Sequence, residues 1–233
     1  MKYSIVFPGQ GSQSIGMLSE FSNNFSIIRE IFQEASDALN VDLWRITEED
    51  QDGLNLTVNT QPVMLAAGFA TYKVLSNEVE LSPVSMAGHS LGEYTALVAA
   101  ESLNFFDAVK LVRKRAELMQ SAVPNGTGSM AAILGLDDER VIEICIQSNS
   151  DGVVEAVNFN SPGQVVIAGE KEAVSHACDA MKEAGAKRAL VLPVSVPSHC
   201  SLMTSAAEEF KNSVEAVNFN MTNIGVLHNV DAD

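Results

Sequence analysis

A serine flanked by glycines is the residue of this sequence best suited to covalent chemistry. Ser90 lies in the string Gly88-His89-Ser90-Leu91-Gly92, with a glycine two positions before it and another two positions after it. This spacing lets a strand reverse sharply into a helix, which lifts the hydroxyl above the sheet edge and frees the next backbone N–H. The same pattern occurs in ordinary turns, so Ser90 is a candidate nucleophile that needs a base nearby.

Four histidines are available as that base. His199 lies in a loop directly before a predicted helix, a common setting for functional side chains, and we select it. His176 lies in a polar helix, His89 would point away from the adjacent serine on an extended segment, and His228 lies in a late strand where structural roles are commoner. Two alternatives stay open: His199 could only bond locally at a helix start, and Cys200 could be a rival nucleophile or a packed thiol.

One arginine lies on the apolar side of the helix predicted over 106–121. Arg115 falls in a row with Leu111 and Leu118, at the three- and four-residue spacing of one helix face. The opposite, solvated face carries Lys110, Arg113, Lys114, Glu117 and Ser121. Because an unpaired buried guanidinium is costly, Arg115 must pair with a protein carboxylate, extend to water or bind an anionic ligand. Its planar fork matches an incoming carboxylate.

A glycine-flanked glutamine follows the first predicted strand. Gln10 stands between Gly9 and Gly11, but Ser14 occupies the third glycine position of a dinucleotide-binding turn, so we exclude a site of that kind. A glutamine on this loop could present donors to a neighbouring strand end, where an oxyanion would form. The alternative is a plain turn residue.

These residues need a framework of alternating strands and helices. The apolar periodicity predicts strands over 2–7, 83–87 and 224–230, and helices over 26–39, 61–76, 91–100, 106–121 and 201–214. Ser90 thus falls on a strand-to-helix turn. We predict an α/β-hydrolase-like main domain with a parallel sheet, formed by residues 1–125 and 195–233.

The intervening residues 126–194 have their own order of elements. Strands are predicted over 129–134, 153–158, 164–168 and 189–192, and helices over 138–148 and 171–184. This βαββαβ order is that of the ferredoxin-like motif, and Ser161-Pro162-Gly163 supplies the tight turn between the middle strands. We therefore predict an inserted ferredoxin-like α+β subdomain.

Composition limits the function classes. The 233 residues are 46% hydrophobic, which suffices for one sizeable core with a smaller insert. The net charge of -16 would repel nucleic acid, and no apolar run approaches the length of a membrane span or secretion signal, so we expect a cytoplasmic protein. Three dispersed cysteines predict neither disulfides nor a zinc site. The string EAVNFN occurs at 155–160 and 215–220 with different flanks, which does not indicate a repeat architecture.

Four segments of the sequence resemble signatures of the malonyl-CoA:acyl carrier protein transacylases of bacterial type II fatty acid synthesis. They are FPGQGSQ at 7–13, AGHSLGEY at 87–94, VNFNSPGQ at 157–164 and PVSVPSH at 193–199. Four such blocks in this order are highly specific. The resemblance covers essentially the whole chain.

The resemblance implies a role for each candidate. Ser90 would be the acylated nucleophile, His199 its general base, and Arg115 the clamp on the malonyl carboxylate. Gln10 and the backbone N–H of Leu91 would form the oxyanion hole. Further substrate-binding residues implied are Met119 and Ser198.

The implied reaction is a ping-pong transfer from malonyl-CoA to the phosphopantetheine thiol of holo acyl carrier protein, with neither metal nor redox cofactor. We expect a monomer. Because the carrier is itself acidic, docking would need a local basic patch. The residues available for it are Lys110, Arg113, Lys114, Lys187 and Arg188.

Two other functions stay open at this point. A serine esterase or thioesterase uses the same serine turn with water as acceptor. The family also continues beyond the position of Asp233, through a segment whose backbone carbonyl orients the catalytic histidine. We therefore expect the main domain to lack its C-terminal part, and a non-catalytic homologue is the second alternative.

Overall fold

The computed structural model describes residues 2–124, 126–194 and 196–232. The chain divides into two compact units, one formed by Met1–Glu117 and Asn212–Asp233 and the other by Leu118–Lys211. We call them the serine unit and the histidine unit, after the Ser90 and His199 that they contain.

The serine unit holds a small parallel sheet and most of the helices. Its strands are β1 (Ser4–Phe7), β2 (Ser85–Gly88) and β7 (Gly225–Leu227). Its helices are α1 (Ser19–Asn24), α2 (Ile27–Leu39), α3 (Leu43–Glu49), α4 (Gln51–Asn55), α5 (Thr57–Glu78), α6 (Gly92–Ala99) and most of α7 (Phe105–Ser121).

Strand β2 is the centre of this sheet. It pairs in parallel with β1 on one side and with β7 on the other, so the carboxyl ends of all three strands meet at one edge. The loop after Phe7, the serine turn after Gly88 and the chain after Leu227 therefore begin close together. Buried Phe7 and Met86 pack with Ala96 and Ala99 of α6 and hold that helix against the sheet.

Helix α5 begins four residues before the predicted start of 61. Pro62 lies inside the helix and lacks the N–H that would bond to the Val58 carbonyl. The guanidinium of Arg113 donates to that carbonyl oxygen instead, at 3.1 Å. A side chain from α7 thus satisfies the backbone group that the proline leaves open.

The histidine unit has the predicted βαββαβ order. Its elements are β3 (Gly128–Leu134), α8 (Asp138–Ser148), β4 (Val154–Ser161), β5 (Gln164–Glu170), α9 (Lys171–Glu183) and β6 (Arg188–Val191). The strands form one antiparallel sheet in the order β4-β5-β3-β6. Both helices bury an apolar face in a common cluster that includes Val141, Val174 and Met181. The Pro162-Gly163 turn joins β4 to β5, with φ of 74° at Gly163.

The histidine unit is wider than the predicted subdomain of 126–194. It includes the last turn of α7, a 3₁₀ turn at Ser201–Met203 and the first two turns of α10 (Thr204–Glu215). Met119, Val196 and Met203 form a buried cluster that ties these flanking segments to the unit. The predicted boundary residues 125 and 195 lie outside the described residues.

In the part of the chain that the structure describes, no helix combines the length and apolar character that crossing a membrane requires.

Candidate active site

Ser90 lies on the turn between β2 and α6. Its φ is 52°, in the left-handed region that costs a non-glycine residue about 1–2 kcal/mol. Strand β2 ends at Gly88 and α6 begins at Gly92, so the reversal takes only three residues. This is the sharp strand-to-helix turn that the sequence predicts.

The two flanking glycines allow a close backbone approach. A Cβ on Gly88 would overlap the backbone of Gly92 and Glu93, and a Cβ on Gly92 would overlap the carbonyl oxygen of Phe7. These obstacles are main-chain atoms, which cannot move aside as a flexible side chain can. The turn therefore requires glycine at both positions.

Arg115 reaches the candidate nucleophile from α7. Its Nη2 donates to Ser90 Oγ at 3.1 Å, and its Nη1 donates to Gln61 Oε1 at 2.9 Å. The ring of Tyr94 lies 5.8 Å from the guanidinium carbon. The apolar neighbours on this side of α7, Leu111 and Leu118 among them, are buried as predicted.

The guanidinium is poorly solvated at this position. Burial lowers the pKa of Arg115, while attraction to Tyr94 and Glu93 acts in the opposite direction. Burial likewise raises the pKa of the Tyr94 hydroxyl. Among the described residues, none of the ion pairs includes Arg115. Its hydrogen-bond partners here are neutral oxygens, so the site holds a cation suited to an anionic ligand.

Two backbone N–H groups near Ser90 are candidate oxyanion donors. Leu91 precedes the first turn of α6, and within the described chain neither its N–H nor that of Gln10 donates a hydrogen bond. The loop of Gln10 lies against the serine turn, since a Cβ on Gly9 would fall 2.5 Å from the carbonyl oxygen of His89. The side-chain amide of Gln10 is engaged elsewhere, because its Nε2 donates to Thr57 Oγ1 at 3.1 Å.

His199 lies in a tight loop of the histidine unit and is exposed. Its φ of 71° is also left-handed. Cys200 Sγ, just after His199, contacts the carbonyl oxygen of Pro197, two residues before it, at 3.1 Å. The Ser201 N–H donates to Glu155 Oε2 at 2.8 Å. These two contacts hold the chain around the strained histidine.

The remaining sequence candidates have distinct surroundings. His176 is exposed on α9, and His228 Nδ1 lies 2.8 Å from Glu93 Oε1, so His228 has a carboxylate partner. Burial raises the pKa of the Cys200 thiol, which disfavours the thiolate that a rival nucleophile would need. Across the described residues, no cluster of His, Cys, Asp and Glu has the arrangement of a metal site.

Met119 and Ser198 both lie in the histidine unit. Met119 is buried in the cluster with Val196 and Met203. Ser198 is half-buried, and its N–H donates to the Val196 carbonyl at 2.9 Å, which tightens the loop just before His199.

Sequence reasoning missed two residues of this site: Gln61, which accepts a hydrogen bond from Arg115, and Asn229, which binds the serine turn. Gln61 is only 1% exposed, and a polar residue within the otherwise buried stretch of α5 was the available signal. Asn229 accepts a hydrogen bond from the Ser90 N–H through its Oδ1, at 2.9 Å. Its position just after a parallel strand was a weaker indication.

Comparison with known proteins identifies the family. Residues 4–231 match the model of the acyl transferase domain. The malonyl CoA-acyl carrier protein transacylase of Haemophilus influenzae is 55% identical over 232 residues, which cover 99% of this chain and 74% of the relative.

Solved structures agree with this match. A malonyl-transacylase in complex with the acyl-carrier protein of a type II polyketide synthase has a TM-score of 0.98 and 49% identity, covering 100% of this chain and 76% of the other. The malonyl CoA-acyl carrier protein transacylase of Coxiella burnetii has a TM-score of 0.97 and 45% identity, with coverage of 100% and 74%. This chain therefore belongs to the acyl transferase domain family and, within it, to the malonyl CoA-acyl carrier protein transacylases.

Proposed function

We propose that this chain transfers a malonyl group from malonyl-CoA to the phosphopantetheine thiol of acyl carrier protein, through an ester on Ser90. The main support for this proposal is the contact of Arg115 with Ser90, which puts a desolvated cation 3.1 Å from the candidate nucleophile. A cation there favours an acyl donor that has its own carboxylate, as malonyl does and acetyl does not. The activity named for the H. influenzae relative agrees with this assignment.

In the first half-reaction, Ser90 Oγ attacks the thioester carbonyl carbon while His199 accepts the hydroxyl proton. The carbonyl oxygen becomes an oxyanion that the N–H groups of Gln10 and Leu91 bind. Collapse of this intermediate breaks the C–S bond, and the departing coenzyme A sulfur takes the proton from His199. The products are malonyl-Ser90 and free coenzyme A.

The second half-reaction runs through the same steps with a new thiol. His199 removes the proton of the phosphopantetheine thiol, and the sulfur attacks the carbonyl carbon of the ester on Ser90. Ser90 Oγ leaves and takes the proton back from His199. The enzyme is restored, and the malonyl thioester now belongs to the carrier protein.

The arrangement around Arg115 supports selection of a carboxylate. Gln61 accepts from Nη1 and so fixes the guanidinium plane, while Nη2 donates to Ser90 Oγ. A malonyl carboxylate replaces that neutral hydrogen bond with a charge-assisted one and releases the serine oxygen for deprotonation. Met119 and Ser198 are further substrate-binding residues in this proposal.

We assign the serine unit to an α/β-hydrolase-like domain on the strength of its parallel sheet and serine turn, and the βαββαβ part of the histidine unit to the ferredoxin-like motif. The cytoplasmic location, the monomeric state and the lack of a cofactor requirement stay predictions from the sequence.

The test combines labelling with a choice of donor. Incubation with radiolabelled malonyl-CoA should leave label on Ser90, and holo acyl carrier protein should then collect it. Arg115→Ala should raise the barrier to malonyl transfer by about 2–3 kcal/mol, because a bidentate charged contact is lost, and should affect acetyl transfer less. The matched variant Arg115→Lys keeps the charge without the fork and should recover only part of kcat/KM.

Each alternative has its own signature in this experiment. Label that is released only to water would indicate a serine hydrolase. A chain that takes no label would indicate a non-catalytic homologue. Equal losses with malonyl and acetyl donors in Arg115→Ala would remove Arg115 from the proposed clamp.

A further inference from the structure

Asn229 holds both sides of the serine turn with one side chain. Its Oδ1 accepts from the Ser90 N–H at 2.9 Å, and its Nδ2 donates to the Gly88 carbonyl oxygen at 2.7 Å. These two backbone groups bracket His89, at the point where the strand changes direction. The carboxamide therefore bridges the last residue of β2 and the candidate nucleophile.

These two groups would otherwise lose their partners where the sheet ends. In the parallel ladder Ala87 is paired with Leu227, which is the last residue of β7. Along a strand, backbone groups two residues apart point to the same side. The Gly88 carbonyl and the Ser90 N–H therefore both face β7, at the level of the residues that follow Leu227. There the main chain turns away, and the Asn229 amide supplies one donor and one acceptor as a peptide group would.

Asn229 is itself fixed by a carboxylate in the first turn of α6. Glu93 Oε2 accepts from the Asn229 N–H at 2.9 Å and from its Nδ2, while Glu93 Oε1 faces His228 Nδ1 at 2.8 Å. An acidic side chain is favourable at a helix N-terminus, and here its oxygens also orient the amide. The helix that follows Ser90 and the residue that binds Ser90 are thus joined.

We propose that Asn229 is a positioning residue for Ser90, in the reaction proposed above. By fixing the backbone at Gly88 and Ser90, the carboxamide maintains the left-handed conformation of Ser90 and, with it, the directions of Ser90 Oγ and the Leu91 N–H. A nucleophile and an oxyanion donor on adjacent residues can act on one carbonyl only if the peptide between them is fixed. In this role Asn229 acts through the backbone of Ser90 and not on the acyl group or the leaving thiol.

The test uses two substitutions of different size. Asn229→Ala removes both hydrogen bonds, whereas Asn229→Asp keeps the shape and the acceptor but loses the donor to Gly88 and brings a second carboxylate beside Glu93. Both should lower the rate of Ser90 acylation by malonyl-CoA, by about 100-fold for a displaced nucleophile. The KM for malonyl-CoA should change by less than about threefold, because Arg115 is untouched.

Ser102→Ala is the matched control. Ser102 is buried, and its Oγ donates to the Asn220 carbonyl at 3.0 Å, so it anchors the same C-terminal segment without touching the serine turn. This variant should lose stability in urea unfolding and keep the acylation rate. An equal loss of rate in Ser102→Ala would mean that Asn229 acts only by anchoring the segment, and would overturn the proposal.

Hydrogen exchange gives a readout that does not depend on the acyl donor. The Ser90 amide should be protected in the parent protein and in Ser102→Ala, and should exchange faster in Asn229→Ala. If the parent takes no malonyl label, the proposed function fails, while the exchange result still tests the hydrogen bond from the Ser90 N–H to Asn229. If the parent is acylated and both Asn229 variants match its rate, the positioning role is wrong.

Discussion

The serine turn and the histidine loop each hold a residue in a left-handed backbone conformation, but different contacts stabilise the two. Ser90 and His199 both have a left-handed backbone, with φ of 52° and 71°. The serine turn is held by main-chain packing at Gly88 and by an amide 139 residues away in the sequence. The histidine loop is held by hydrogen bonds within a few residues of itself and by the distant carboxylate of Glu155.

This difference indicates how each region should respond to mutation. Main-chain atoms cannot move aside, so the serine turn should tolerate no added volume. A loop closed by local hydrogen bonds can lose one of them and keep its path at a modest cost. The serine turn should therefore fail abruptly, and the histidine loop gradually.

The largest effect should come from Gly88→Ala. The new methyl group would overlap the backbone of Gly92 and Glu93, and we expect it to lower the free energy of unfolding by about 3 kcal/mol or more, with loss of Ser90 acylation. Urea unfolding and malonyl labelling would measure the two effects.

Gly225→Ala on β7 is the control for that substitution. A Cβ there meets open space, so the stability should change by less than about 0.5 kcal/mol. If Gly88→Ala proved as stable as this control, the main-chain packing would not be what holds the serine turn.

An intermediate effect is expected at Glu155. Glu155→Ala leaves the Ser201 N–H without its carboxylate acceptor and should slow Ser90 acylation about fivefold, by loosening the loop of His199. Glu155→Gln keeps a carbonyl oxygen as acceptor and should recover part of the rate. Single-turnover labelling with malonyl-CoA would measure it.

Glu172→Ala is the matched control, because it also removes one carboxylate, from an exposed position on α9. It should leave the rate of Ser90 acylation unchanged. A rate in Glu155→Ala that equals this control would mean that the histidine loop is held by its local bonds alone.

Prediction from the sequence succeeded where the pattern was local. The helix predicted over 138–148 is found at Asp138–Ser148, because its apolar positions recur with helical spacing. The short helices α1, α3 and α4 were missed, since five to seven residues hold too few repeats of that spacing. Two of them still had a capping signal, as Asp42 accepts from the Arg45 N–H and Asp50 from the Gly53 N–H.

The repeated string EAVNFN demonstrates the limit of local reasoning. Its first copy lies within β4, paired with β5, whereas its second begins at the last residue of α10 and continues as a turn, with only an isolated bridge from Phe219 to Leu103. Identical residues adopt different structures because different neighbours are available to them. The role of Asn229 could not be predicted for the same reason, since its partners lie 136 to 141 residues away.

The smallest effect on activity is expected at Cys200, beside His199. Burial raises the pKa of this thiol, so at pH 8 the folded protein should hold little thiolate. Iodoacetamide should react much faster once urea unfolds the chain and returns the pKa to its ordinary value of about 8.5. As pH rises above that value, the unfolded chain loses this proton before the folded one, so the contribution of the thiol to stability is present below it and declines above it. Cys200→Ala should keep Ser90 acylation within about twofold, because a buried free cysteine acts chiefly as a small apolar side chain. Loss of acylation in Cys200→Ala, or fast alkylation of the folded protein, would mean that Cys200 is a reactive group. The histidine loop would then supply a second reactive side chain beside His199.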